Sequence, residues 1–364
     1  MQRHSALFAL AALVPATLPA QADPVARLAR LVEDGRVQVR FDDQRGYLPW
    51  LLEALGIPEE SQMLVFSKTS VQGIRVSPDY PRRLFFNDSA IVGSVKGGPL
   101  ELAAQDPERG MVFYFFDQNR FRSDRPTASP KAASPFSRRE DCVHCHAGKS
   151  GAAAELLIRS VVTSDNGAPL IGRAALDTDD RTPFDKLWGG WYVTGRSEAR
   201  HMGNSVVDQR GKTVAVEPPG SSDIVALMVF EHQMHMMNLI AEARTPDCVN
   251  ELVDYMLFVD EAPLAGKVEG SSGFAQKFTS RGPRDSRGRS LRDLDLNRRL
   301  MRYPCSYMIY SEAFDAIPAP VKAAIYRRMW EVLGKRDEAD RRAIVEILRE
   351  TKPGLPDYFS SGAR

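Results

Sequence analysis

The residues predict an α+β chain, with a mixed β-rich N-terminal half packed against a mainly helical C-terminal half. Three observations carry this. Short apolar runs punctuated by Pro, Gly and Asp fill residues 62–117. An Asn166-Gly167 pair sits between two further runs, where a hairpin turn tolerates positive φ. Beyond residue 220 the apolar residues recur at helical spacing over long stretches. The expected organisation is a signal peptide over 1–22, a β-rich region over 23–220, a helical region over 221–352 and a flexible tail over 353–364. With 364 residues, 43% hydrophobic and 26% charged, the chain is long enough to bury a substantial core. Its formal net charge of +1 gives no reason to expect a nucleic-acid partner.

The chain opens on Arg3, an apolar run over Ala6–Val14 and the small-x-small pattern Ala20-Gln21-Ala22. This is the layout of an export signal cleaved before Asp23. The apolar run is well short of the roughly 20 residues that span a bilayer, and Pro15 and Pro19 break it further. No later segment reads as a transmembrane anchor, so the expected product is a soluble protein, periplasmic or secreted. Residues 24–56 read as short helices, with Val25, Leu28, Leu31 and Val32 on one face. Met63–Phe66, Leu84–Phe86, Ala90–Val95 and Met111–Phe116 are the expected strands. Residues 123–140, rich in Ser, Pro, Ala and Arg, read as a loop.

That loop leads into Cys142-Val143-His144-Cys145-His146, the most informative segment of the chain. Two cysteines three apart with histidine directly after the second is the spacing of covalent haem c attachment. Each thiol adds to one vinyl group, and the following imidazole is held where it can bind iron as the proximal ligand. The expected cofactor is therefore one haem c, on Cys142 and Cys145, with His146 on the metal. A zinc site would need a second ligand pair, and only the widely separated Cys248 and Cys305 remain. A thioredoxin-like dithiol would follow a hydrophobic strand, whereas Arg138-Arg139-Glu140-Asp141 precedes these cysteines. In an oxidising compartment Cys248 and Cys305 are open to a disulfide or to two unbridged thiols. Export and haem attachment support each other, since bacteria join haem c to protein outside the cytoplasmic membrane.

After the motif, Leu156–Thr163 reads as a strand turning at Asp165-Asn166-Gly167 into Pro169–Ala174. Asp223–Ala243 reads as a long amphipathic helix, and Thr245-Pro246-Asp247 breaks it and starts a second over Cys248–Val259. Leu291–Met301, Val321–Leu333 and Glu338–Glu350 complete the expected helices, and Pro353 begins the tail.

Several segments taken together resemble a family of exported bacterial cytochrome c domain-containing proteins that has no assigned activity. They are the haem motif, Trp188-Gly189-Gly190-Trp191-Tyr192-Val193-Thr194-Gly195, His201-Met202-Gly203-Asn204, Glu231-His232-Gln233, and Arg302-Tyr303-Pro304-Cys305-Ser306-Tyr307. The likeness runs over roughly residues 62–334 and implies one covalent haem and electron transfer. The family carries a histidine after the Thr-Gly of the tryptophan segment, where this chain has Arg196 and Ser197.

The sixth iron position decides between a carrier and a ligand-binding haem. His144, inside the motif, points away when His146 is bound. His201, beside Met202, is the first candidate as distal ligand and His232 the second; the methionines of 228–237 read as helix core. His232 and His235 fall near one face of a helix, where Glu231 could fix an imidazole tautomer. The alternative for each histidine is a hydrogen-bonded structural role. Trp188, Trp191 and Tyr192 read equally as a haem wall or as core. The arginines from Arg281 to Arg302, with Asp285, Asp293 and Asp295 among them, read as a surface of local ion pairs, or as a propionate clamp or partner-docking face. An electron-transfer cytochrome serving a redox partner protein is the expected function. A peroxidase-like haem enzyme and a haem-based redox or gas sensor are the alternatives. No motif beyond the haem segment prescribes a substrate, so no catalytic residue is assigned.

Overall fold

Alternating apolar residues build a six-stranded antiparallel sheet whose strands follow chain order. They are β1 (Met63–Val65), β2 (Arg82–Phe86), β3 (Ala90–Ser94), β4 (Leu100–Asp106), β5 (Gly110–Phe116) and β6 (Phe136–Arg138). The computed structural model describes residues 22–118, 134–146, 154–173 and 175–361, so the expected signal peptide lies almost wholly outside the described residues. The side-chain period of two sorts the sheet into two faces. Phe85, Val92, Leu102, Val112 and Tyr114 point to one, and Leu84, Phe86, Ile91, Ala103 and Phe113 to the other.

The first face is covered by α1 (Pro24–Glu33) and α2 (Leu48–Ala54). Asp23 starts α1, its Oδ1 accepting from the Val25 and Ala26 amides at 2.9 and 3.0 Å. Its other oxygen takes the Tyr114 hydroxyl at 2.7 Å, which pins the helix to β5. The second face receives α3 (Cys142–Cys145) at one end and α4 (Ile224–Glu242) along its length.

α4 is apolar all round rather than amphipathic as expected, and 94% of its apolar stretch is buried inside the fold. A helix without a polar stripe has to be wrapped on every side. Among the described residues it is the one helix long and apolar enough to cross a membrane, and here it is the centre of the core. Against it pack α5 (Val249–Met256), α6 (Phe274–Thr279) and α7 (Glu312–Asp315); α8 (Ala319–Leu333) packs on α5, and α9 (Glu338–Thr351) joins the same hydrophobic cluster. One hydrophobic cluster runs from Met63 in β1 through α4 to Phe359, so both halves share it.

The hairpin expected at Asn166-Gly167 forms, with Thr163 bridged to Pro169 and β7 (Ile158–Ser160) paired to β8 (Leu176–Thr178) beyond it. Gly167 has φ +87°, and a Cβ there would collide with the carbonyl oxygen of Phe66. Four strands complete the fold as two minor pairs. β9 (Arg196–Ser197) joins β12 (Val268–Glu269), and β10 (Ser205–Val207) joins β11 (Thr213–Ala215).

Four further expectations need correction. β4 was not anticipated, because Leu-Glu-Leu-Ala-Ala-Gln-Asp has weak β propensity; burial between β3 and β5 overrides it. β6 lies within the segment expected as loop, and Phe136 there fills the core under β5. Leu291–Met301 is not helical. Asp293 accepts from the Ser290 amide, and Asp295 accepts from the Asn297 and Arg298 amides, so side chains take the backbone donors that a helix would use. The segment from Pro353 docks instead of fraying. Within α10 (Tyr358–Ser361), Phe359 is fully buried against Trp330 at 5.2 Å between centroids.

Candidate functional site

The Cys142–His146 motif folds as α3, a single helical turn that ends at His146. The His146 amide donates to the carbonyls of Cys142 and Val143 at 3.1 and 3.2 Å, closing the turn. Two reciprocal bonds then lock His146 to Glu155. The Glu155 amide donates to the His146 carbonyl at 2.7 Å, and the His146 Nδ1–H donates to the Glu155 carbonyl at 2.8 Å. A carbonyl can only accept, so Nδ1 carries the proton and Nε2 keeps its lone pair. Burial lowers the imidazole pKa below its usual 6.5, the bond to the Glu155 carbonyl opposes it and the nearby Arg82 and Arg159 reinforce it, which keeps the ring neutral at pH 7. Phe113 of β5 stacks on it at 4.9 Å and 29°.

These features fit a haem c site. The chain offers a neutral imidazole with a fixed tautomer directly after the second cysteine, and Cys142 packs half-buried against the core. For His144 and Cys145 only the backbone is described. Facing the same region, Arg82 and Glu101 form an ion pair across Gly93, and Gln72 donates to Glu101 at 2.8 Å. A side chain at Gly93 would collide with the arginine, so glycine makes room for the pair. None of these supporting residues was singled out from the sequence, because none carries a spacing signal.

His201 is half-buried against Trp188, with ring centroids 5.5 Å apart. Its Nδ1 is buried and has no hydrogen-bond partner among the described residues, and burial lowers its pKa. Its neighbour Met202, not the imidazole itself, touches β7. Ser160 of β7 bonds the Met202 sulfur at 3.8 Å, while Arg159 of the same strand acts electrostatically on His146.

His232 is placed differently. Its Nδ1 meets Asp180 Oδ2 at 2.8 Å and its Nε2 meets Ser306 Oγ at 2.8 Å. The ring lies between Tyr255 and Phe258, at 5.2 and 4.3 Å and within 16° of parallel. Both nitrogens are occupied, so this arrangement leaves no lone pair for iron. Asp, His and Ser in this order match the geometry of a charge-relay triad. However, His232 and Ser306 are both 0% exposed, and Ser306 Oγ also accepts from the Met308 amide, so no substrate can reach the hydroxyl. The triad clamps α4 to two loops.

Glu231 does not orient a histidine. It accepts from Thr178 Oγ1 at 2.7 Å, and the Trp188 indole N–H faces it without closing a regular hydrogen bond. Burial raises this carboxyl to about 8. His235 packs edge-on to Tyr255 at 4.4 Å, with its pKa lowered by burial. Trp188, Trp191 and Tyr192 are core residues. Trp191 donates to the Arg159 carbonyl at 2.8 Å and Tyr192 to the Pro78 carbonyl at 3.0 Å. Trp188 takes φ +66°, a left-handed conformation rare for a bulky side chain.

The arginine-rich stretch is a set of ion pairs: Arg284 with Asp293, Arg289 with Asp285 and Glu346, Arg292 with Asp88, and Arg299 with Asp340. They staple this irregular segment to its own acidic residues, to the loop after β2 and to α9. A modest excess of basic side chains lies elsewhere. Arg75, Arg83 and Lys96, with Arg45 and Arg139 paired to Glu59 and Asp141, face Asp79 and Asp117 around a cleft of about 1190 Å³ that reaches Ser137, just before the motif. Cys248 and Cys305 are unbridged, and burial pushes the Cys305 thiol up to about 12, so it is inert.

Comparison of the chain with protein-family models, with characterised proteins and with solved structures finds no match.

Proposed function

We propose that the chain is an exported c-type cytochrome that carries one haem c on Cys142 and Cys145 and passes single electrons to a redox partner. The observation that carries this reading is the reciprocal lock between His146 and Glu155, which presents a neutral imidazole with Nε2 as its acceptor nitrogen. When bound, the haem supplies one-electron exchange at iron. The chain supplies the rest. The two thiols would anchor the group and His146 would ligate it, while Phe113 holds the imidazole plane. His201 is the side chain we place at the sixth iron position, because its buried Nδ1 lacks a protein partner. The basic cleft beside Ser137 and Arg139 suits an acidic partner surface, which would be steered by charge. Residues 1–22 direct export, and the mature chain begins at Asp23.

The test is mass spectrometry and absorption spectroscopy of protein matured with a haem-attachment apparatus. The expected result is a chain starting at Asp23 with one added haem and a low-spin ferric spectrum unaffected by cyanide. A mass without the added group, with both thiols unmodified or holding zinc, would overturn the reading. A high-spin ferric form that readily binds peroxide or carbon monoxide would replace electron transfer by the peroxidase-like enzyme or the redox or gas sensor.

A further inference from the structure

The carbonyl that holds His146 belongs to a short irregular segment, and something must hold that segment in turn. Asn238 does so. It lies on α4 and is 6% exposed. Its Oδ1 accepts from the Leu156 amide at 2.9 Å, and its Nδ2 donates to the Leu156 carbonyl at 2.8 Å. Both halves of the amide are thus spent on one backbone residue, directly after the Glu155 that accepts from His146 Nδ1. Two bonds to one residue fix the orientation of that stretch of chain, not only its position. The helix end of the clasp is itself anchored to the sheet. Gln105 of β4 donates to the Met237 carbonyl at 3.2 Å, one residue before Asn238. The path from sheet to imidazole is therefore β4, α4, Leu156, Glu155, His146.

We infer that Asn238 is the positioning residue for His146, holding the Glu155 carbonyl on Nδ1 and thereby setting how strongly the imidazole donates to haem iron. The inference rests on the haem c reading for its redox consequence but not for the clasp itself. A firm acceptor on Nδ1–H makes Nε2 more electron-rich, which favours ferric over ferrous iron and lowers the reduction potential. Releasing the clasp lets the 154–156 segment move, lengthens the Nδ1–Glu155 bond and raises the potential.

The test compares the full mature protein with Asn238→Leu, which keeps the volume and removes both bonds. The readouts are the reduction potential by potentiometric titration and the exchange rate of the His146 Nδ1 proton by NMR in the diamagnetic ferrous form. The expected result is an upward shift in potential with proton exchange at least about tenfold faster, as local opening becomes easier. Ile344→Val, a core change on α9, serves as a control and should move neither readout. If Asn238→Leu does not fold, Asn238→Ser carries the same comparison. An unchanged potential and exchange rate, whatever happens to overall stability, would reduce Asn238 to a packing residue and overturn the inference. The mass of the native protein separates this from failure of the haem reading. If no haem is attached, the exchange rate of the Nδ1 proton still reports whether Asn238 holds the Glu155 carbonyl in place.

Discussion

Replacing His232 with alanine measures whether this imidazole is a structural clamp or an iron ligand. The side chain makes a 2.8 Å bond to the Asp180 carboxylate and a 2.8 Å bond to the Ser306 hydroxyl. Asp180 is poorly supplied otherwise, since its second oxygen is buried without a hydrogen-bond partner among the described residues. Its side chain is 7% exposed, so alanine at 232 strands a carboxylate away from water. Leaving a buried carboxyl without its hydrogen-bond partner, and emptying the ring's place between Tyr255 and Phe258, together cost about 3–5 kcal/mol. A destabilisation of about 4 kcal/mol is expected, roughly a thousandfold in the unfolding equilibrium. Ser306→Ala keeps the Asp180–His232 pair and loses only neutral bonds, so about 1 kcal/mol is expected there. Guanidinium unfolding of the holo protein, with the denaturant slope unchanged, gives both numbers. The ferric absorption spectrum, recorded on each variant that folds, should match the native one. A loss below about 1 kcal/mol for His232→Ala, joined to an altered Soret band, would mean that His232 leaves Asp180 to bind iron, and the clamp argument would fail.

Three further outcomes are expected. His201→Ala should convert the ferric spectrum toward a high-spin form that takes up added imidazole, and an unaltered spectrum would remove His201 from the sixth position. Glu231→Gln tests a pH dependence whose sign follows from burial. The folded chain holds this proton up to about pH 8 while the unfolded carboxyl releases it near 4.5, so stability from this group is complete below the lower value and falls as pH rises toward the upper. The amide should flatten that decline and gain a few kcal/mol over the native chain near pH 8, read from denaturant midpoints; parallel pH profiles would contradict it. Gly167→Ala forces a Cβ onto φ +87° and into the Phe66 carbonyl, and should cost about 2 kcal/mol in the same assay. A cost near zero would show that the hairpin tip can move off β1.

Legibility in the sequence followed the range of the interactions. The Asn166-Gly167 hairpin was readable because every residue that defines it lies within a few positions. The strands at Met63, Ala90 and Met111 were readable from apolar and β-branched composition. β4 was not, since Glu101 and Gln105 are spent on partners that only the folded chain supplies: Gln72 and Arg82 for the first, the Met237 carbonyl for the second. The partners of His232 lie 52 residues before it and 74 after it, so no local pattern could show that both nitrogens were taken. The docked tail was missed for the same reason, because Phe359 looks dispensable until Trp330 is beside it.

The polar residues of α4 tie the large fold to the short Cys142–His146 turn. A core helix gains nothing from Glu231, His232, Gln233 and Asn238 unless each is satisfied, because unpaired polar groups in such a place cost more than apolar ones would stabilise. Each is satisfied by a different part of the fold. Glu231 takes Thr178 of β8, His232 takes the Asp180 and Ser306 loops, Gln233 takes Tyr307 and the Asn87 carbonyl, and Asn238 takes the segment that holds His146. These bonds have directions, whereas the apolar contacts around them do not, so they select one placement of the surrounding loops against the helix. A four-residue turn such as α3 has too few internal bonds to set the azimuth of an imidazole by itself. Its orientation is imposed from α4 through Leu156 and Glu155, and it is as rigid as the packing of that helix. Changes that loosen α4 far from the motif, at Gln233 or at Tyr307, should therefore reach His146 before they unfold the chain.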